Sequence, residues 1–217
     1  EDEPHEHNPM MGYRGIRRSL DKPDIFEKEL EAFSQLFDMG YDNLEVMFPL
    51  VNDAEDVIQA RNYLEQAGID PDIRSWGVMI ETPASALQVE EMADAGIDFA
   101  SFGTNDLTQT TFGISRDDAG QFLEFYKHEE ILEDDPFAVL DQDGVGELIE
   151  IAVERGRDSR SGLKVGICGE HGGEPSSVKF CHGADLNYVS CSPYRVPIAR
   201  LSAAQAAIDV DEDVTSY

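Results

Sequence analysis

Five short apolar runs, each closing on a polar turn and each separated from the next by a stretch of helical period, constrain this chain more than any other feature. The runs cover 44–48, 76–80, 99–102, 164–168 and 188–191, and the helical patterns cover 25–39, 54–66, 85–95, 145–155 and 176–182. Runs that are apolar on both faces suit parallel strands buried under helices. Right-handed strand–helix–strand connections then place every strand's C-terminal end on one rim. Counting gives an incomplete barrel: five strands, with a possible sixth at 11–15, fall short of the eight needed for closure. With 217 residues and 41% hydrophobic content, one domain over 1–217 is expected. Residues 1–7 read as a polar lead-in, 117–144 as an elaborated lid or helix pair, and 209–217 as a frayed tail.

Charge narrows the function classes. Forty-five acidic residues against 16 Lys and Arg give a formal net charge of −29. Nucleic acids and anionic membrane surfaces need clustered cations, so neither is expected as a partner. The carboxylates are spread along the chain, which predicts a hydrated acidic shell adapted to high salt, where screening suppresses their repulsion. No apolar run reaches the ~18 residues of a membrane span, and no charged-then-apolar leader opens the sequence, so a cytoplasmic address is expected. Cys168, Cys181 and Cys191 show no paired spacing, which points away from a disulfide framework or a zinc site.

The turns after the strands carry the chemistry. Glu81 follows the second run and Asp106 the third, so barrel geometry brings two carboxylates to one mouth, a hard-oxygen arrangement suited to Mg²⁺. In the stretch SFGTNDLTQ (101–109), Gly103 permits a tight turn, and Thr104, Asn105 and nearby amides can donate to an anion beside the metal. The same residues equally describe an Asx-capped helix start. Arg14 and Arg17 stand near the mouth in a chain that otherwise avoids cations, and Arg matches carboxylate and phosphate oxygens bidentately; ion pairing with the abundant acids is the alternative for both, and Arg116 has the same two readings in equal measure. Cys168 ends the fourth run ahead of the Gly-rich turn GEHGG, where a thiol can move a proton or serve simply as a small buried hydrophobe.

Together NPMMGYRGIR, VMIETPASAL, SFGTNDLTQ and GICGEHGGEPSSV resemble, in order and over residues 8 to about 207, the phosphoenolpyruvate (PEP)-utilising enzymes. That family comprises pyruvate phosphate dikinase, PEP synthase and enzyme I of the sugar phosphotransferase system. The resemblance implies a (β/α)8 TIM barrel lacking its first strands here, with Mg²⁺ on Glu81 and Asp106. It further implies pyruvate or PEP contacted by Arg14, Gly103, Thr104, Asn105 and Arg116, and Cys168 exchanging the proton at the methyl carbon while the enolate takes phosphate from a phosphohistidine. The reaction implied is that of a pyruvate dikinase, with water and phosphate both open as second phosphoryl acceptor. Residues 8–109 are similar to the synthases, and later motifs such as ILEDDPFAVLDQDGVGELIEIA are similar to the phosphate dikinase. Enzyme I and a non-catalytic PEP-binding module are the alternatives. The family's nucleotide-binding and phosphohistidine domains have no counterpart in these 217 residues, and His5, His7, His128, His171 and His182 do not sit in its phosphohistidine motif. The resemblance therefore implies a partner domain within a longer chain, a homodimer, and no turnover by this part alone.

Overall fold

The computed structural model describes residues 5–214, with side-chain surroundings to 208. Five parallel strands, β1 (Val46–Phe48), β2 (Trp76–Ile80), β3 (Phe99–Gly103), β4 (Lys164–Cys168) and β5 (Tyr188–Val189), form one sheet in sequential order. An order that never reverses is that of a singly wound sheet, whose helices all cover one face as in a barrel, unlike the doubly wound folds in which the order switches. The result is an α/β fold consistent with a TIM-barrel-like arrangement, with β1 and β5 as open edges among the described residues.

Helices fill the crossovers. Before β1 come α1 (Ile16–Asp21) and α2 (Pro23–Asp38); α3 (Ala54–Gln66) joins β1 to β2, and α4 (Pro83–Leu87) with α5 (Val89–Asp94) joins β2 to β3. The long β3–β4 connection holds α6 (Thr104–Phe112), α7 (Leu123–His128) and α8 (Glu147–Ser159); α9 (Pro175–Gly183) precedes β5, and α10 (Val196–Val214) follows it. The longer crossover helices turn a stripe inward at helical spacing: Phe26, Leu30 and Phe37 on α2, Val57, Ala60 and Leu64 on α3, and Ile149, Ala152, Val153 and Gly156 on α8. These stripes meet Val46, Phe48, Trp76, Val78, Ile80, Ala100, Phe102, Val165 and Ile167 in one core. Burying a side chain of this size contributes about 1.5–3 kcal/mol, so this layer holds the strand ends in register.

Several expectations need correction. The sixth strand expected at 11–15 is absent: Pro9–Met11 form a 3₁₀ turn, and Gly12 and Gly15 keep the following residues out of a ladder. β1 is shorter than 44–48 and β5 shorter than 188–191. The helix expected over 85–95 starts earlier, because Thr82 and Ser85 form a reciprocal capping box around Pro83, and it breaks at Gln88. The segment 117–144 holds a 3₁₀ turn (Ala119–Gln121), α7 and a small cluster of Ala119, Leu123 and Phe137, then a π-helical turn (Gln142–Gly146) capped by Asp141. In the tail expected to fray, α10 continues to Val214, and 215–217 lie outside the described residues, as do residues 1–4 of the polar lead-in.

Candidate active site

Strand register assembles the site. Ile80 pairs with Phe102 across β2 and β3, and Gly103 pairs with Cys168 across β3 and β4, so Glu81, Gly103 and Cys168 stand at neighbouring strand ends. The Glu81 side chain lies against the Gly103 backbone: a Cβ on Gly103 would come within 2.5 Å of Glu81 Cγ and 2.6 Å of Oε1. Glu81 is buried, and its Oε2 accepts a 2.7 Å hydrogen bond from the amide of Leu50. Leu50 has φ of 54°, a left-handed conformation that is strained for a β-carbon-bearing residue and is held here just beyond β1.

Asp106 reaches the same place from the first turn of α6. Its Oδ1 accepts from Gln109 Nε2 at 2.9 Å, and its Oδ2 accepts from Arg14 at 2.5 Å. Burial pushes the Glu81 carboxyl up to about 7; the adjacent Asp106 charge adds to the rise, while the Leu50 amide and Arg14 oppose it. Burial also raises the Cys168 thiol, assisted by the negative charges of Glu81 and Asp106, so Cys168 is held as the neutral thiol. Its Sγ lies 3.5 Å from the carbonyl of Phe102.

Around this pair, polar groups stand without partners. The Asn105 side-chain oxygen and Arg14 Nε are buried and make no hydrogen bond. Gly103, at the N-cap of α6, supplies no side-chain acceptor to the first-turn amides. The two carboxylates stand together here, and the unpartnered amide oxygen lies on the residue next to Asp106, all of them hard-oxygen groups; no group of three or more His, Cys, Asp and Glu side chains converges among the described residues. That composition fits Mg²⁺, which commonly takes one or two protein carboxylates and completes its shell with water and substrate oxygens.

The structure thus brings together Glu81, Asp106, Arg14, Gly103 and Cys168, with Asn105 beside Asp106 on α6. Thr104 is tied to the end of β4: its hydroxyl is engaged by the Cys168 carbonyl at 3.1 Å and by His171 Nδ1 at 2.7 Å. Arg116 stands farther out: its amide donates to Gln109 Oε1, while its guanidinium lies 3.6 Å from Glu170. Arg17 donates to the carbonyls of Met11 and Gly12 and serves the loop. A cavity of about 430 Å³ is lined by Arg116, Asp135, Phe137, Glu170 and Arg195, and a neighbouring one of about 240 Å³ shares Glu170 and Arg195. Sequence reasoning gave no role to Gln109, which ties Asp106 to Arg116, or to His171; the i, i+3 spacing of Asp106 and Gln109 on a helix was the available signal for the former.

The family model of the PEP-utilising enzyme, PEP-binding domain, matches residues 1–208. Curated relatives include the pyruvate, phosphate dikinases of Clostridium symbiosum (51% identical, covering 96% of this chain and 25% of that protein), Rhizobium meliloti (52%, 94% and 24%) and Rickettsia prowazekii (48%, 94% and 24%). The chain spans about a quarter of the length of these relatives. Among solved structures, the citrate synthase SbnG superimposes with a TM-score of 0.46 at 16% identity over 82% of this chain and 67% of that one. No helix among the described residues is long and apolar enough to cross a membrane.

Proposed function

Because the chain belongs to the PEP-binding domain family of the PEP-utilising enzymes, we propose that it binds pyruvate and PEP as one domain of a larger pyruvate, phosphate dikinase. The observation that carries the reading is the buried Glu81–Asp106 pair standing beside the Cys168 thiol at one set of strand ends. The similarity of about half the residues to dikinases supports phosphate as the second phosphoryl acceptor and favours this reading over enzyme I or a non-catalytic module. In this proposal residues 1–217 form one domain, the remaining strands of a (β/α)8 barrel come from elsewhere in the polypeptide, and nucleotide-binding and phosphohistidine domains act on the same site. The enzyme would be a cytoplasmic, ATP-dependent homodimer.

Glu81 and Asp106 would hold Mg²⁺. Bound there, the ion would polarise the oxygens of the keto acid. Arg14, fixed on Asp106, presents its remaining donors to substrate carboxylate or phosphoryl oxygens, and Asn105 adds hydrogen bonds at the start of α6, beside Thr104. Gly103 keeps the space that Glu81 occupies. Cys168, kept protonated by its surroundings, gives its proton to the methylene carbon of the enolate when PEP donates its phosphoryl group, and the thiolate takes one from the methyl group of pyruvate in the opposite direction. Arg116, on the rim, would meet the incoming phosphoryl group.

The test is a product assay on the complete enzyme with ATP and pyruvate, with and without phosphate. Pyrophosphate formed only when phosphate is present is the expected result. Free phosphate formed without that requirement would assign a synthase, and no PEP under either condition would overturn the proposal.

A further inference from the structure

We infer that His171 is a positioning residue for the proton-transfer step, locking the segment 117–144 to the strand ends through a Pro136–His171–Thr104 relay. The inference rests on the pyruvate-phosphorylating reading above. His171 is fully buried, outside the residues to which that reading gives a role. Its Nε2 lies 2.9 Å from the Pro136 carbonyl, and its Nδ1 lies 2.7 Å from Thr104 Oγ1. A carbonyl only accepts, so Nε2 carries the hydrogen. Burial lowers the imidazole's affinity for a second proton, which leaves Nδ1 as an acceptor for the Thr104 hydroxyl. That hydroxyl has one hydrogen, and the Cys168 carbonyl, at 3.1 Å, takes the weaker share of it.

Each end of the relay matters to the site. Thr104 opens α6 immediately before Asn105 and Asp106, and its contact with the Cys168 carbonyl sets where β4 ends. Gly169, at φ of 113°, lets the chain turn directly after Cys168, and a Cβ there would approach Thr104 Oγ1 to 2.9 Å. At the other end, Pro136 lies between Asp135 and Phe137, both of which line the rim cavity with Arg116 and Glu170. One imidazole therefore fixes the rim segment against the two strand ends bearing the carboxylate and the thiol. Loosening it misplaces Cys168 relative to the substrate carbon, while Asp106 keeps its bonds to Arg14 and Gln109 and Glu81 its bond to the Leu50 amide, none of which involves His171.

The experiment follows deuterium exchange at the methyl group of pyruvate with Mg²⁺ in the complete enzyme. His171→Asn, which can keep the Thr104 contact but cannot reach Pro136, and Thr104→Val, which lacks the hydroxyl, should each lower kcat for exchange about 10- to 100-fold while KM for pyruvate stays within about threefold. Thr104→Ser should restore exchange. The double variant should be no worse than the worse single, because both act on one linkage. Wild-type kcat in His171→Asn, or losses that multiply in the double variant, overturns the inference. Should His171→Asn not fold, His171→Gln, which can reach Pro136 but offers Thr104 no partner, carries the same prediction, and wild-type kcat in it is equally fatal. No exchange by the wild-type enzyme sinks the reading of function itself, whereas exchange indifferent to His171 sinks this inference alone.

Discussion

Gly103→Ala probes the site through a contact of a single methyl group. The backbone at Gly103, φ −84° and ψ 80°, is open to alanine, so no conformational strain enters the argument. The added Cβ would stand 2.5 Å from Glu81 Cγ and 2.6 Å from Oε1, distances at which something must move. The strand backbone is held in the ladder to β4, so Glu81 moves, and it leaves its 2.7 Å bond to the Leu50 amide. Losing a hydrogen bond to a charged group costs about 1.5–3 kcal/mol and overpacking about 1–3, against an unfolded-state gain of about 0.4–1 from replacing glycine, so a net loss of about 2–5 kcal/mol is expected. Urea unfolding at pH 8 without metal measures it. The same variant should lose Mg²⁺-dependent oxalate binding, since the displaced carboxylate no longer meets Asp106. Wild-type stability together with wild-type oxalate affinity would refute the reasoning.

Glu81 supplies a pH signature. Its folded value of about 7 lies above the ordinary 4.5, so its contribution to stability is fully present below pH 4.5 and is lost as pH rises through 7. Without metal, the wild type should lose about 2–3 kcal/mol relative to Glu81→Gln between pH 5 and pH 8, and parallel stability curves would count against the burial argument. Cys168→Ala should abolish exchange at the pyruvate methyl group while Mg²⁺-dependent oxalate binding persists, and retained exchange would remove the thiol from its role. With a formal charge of −29, the melting temperature should climb as KCl approaches molar concentration, and a flat or falling trend would contradict a salt-adapted shell.

What could be read from the sequence followed from burial. β2, β3 and β4 are apolar runs bounded by turn residues; β2 and β4 keep the expected bounds, and β3 runs one residue past the expected 102 to take in Gly103. α10 escaped because its signal is inverted: small residues, Ala199, Ser202 and Ala206, are buried, while Val196, Ile198 and Leu201 are exposed. The Asx-capped start left open for α6 is not what forms, since Gly103 occupies the N-cap and provides no side-chain acceptor. Thr104 was legible as a donor beside Asp106, but its engagement by His171 and the Cys168 carbonyl was not, because those partners lie 67 and 64 residues away. The same holds for His171 and Pro136, 35 residues apart, which only the tertiary fold joins.

Oxalate titration calorimetry on the complete enzyme, with and without Mg²⁺, addresses the two buried carboxylates most directly. The wild type should bind only when the ion is present, and Asp106→Ala should weaken that binding by about 100-fold or more, the equivalent of several kcal/mol. Binding that needs no Mg²⁺, or that survives Asp106→Ala unchanged, would contradict the site described here.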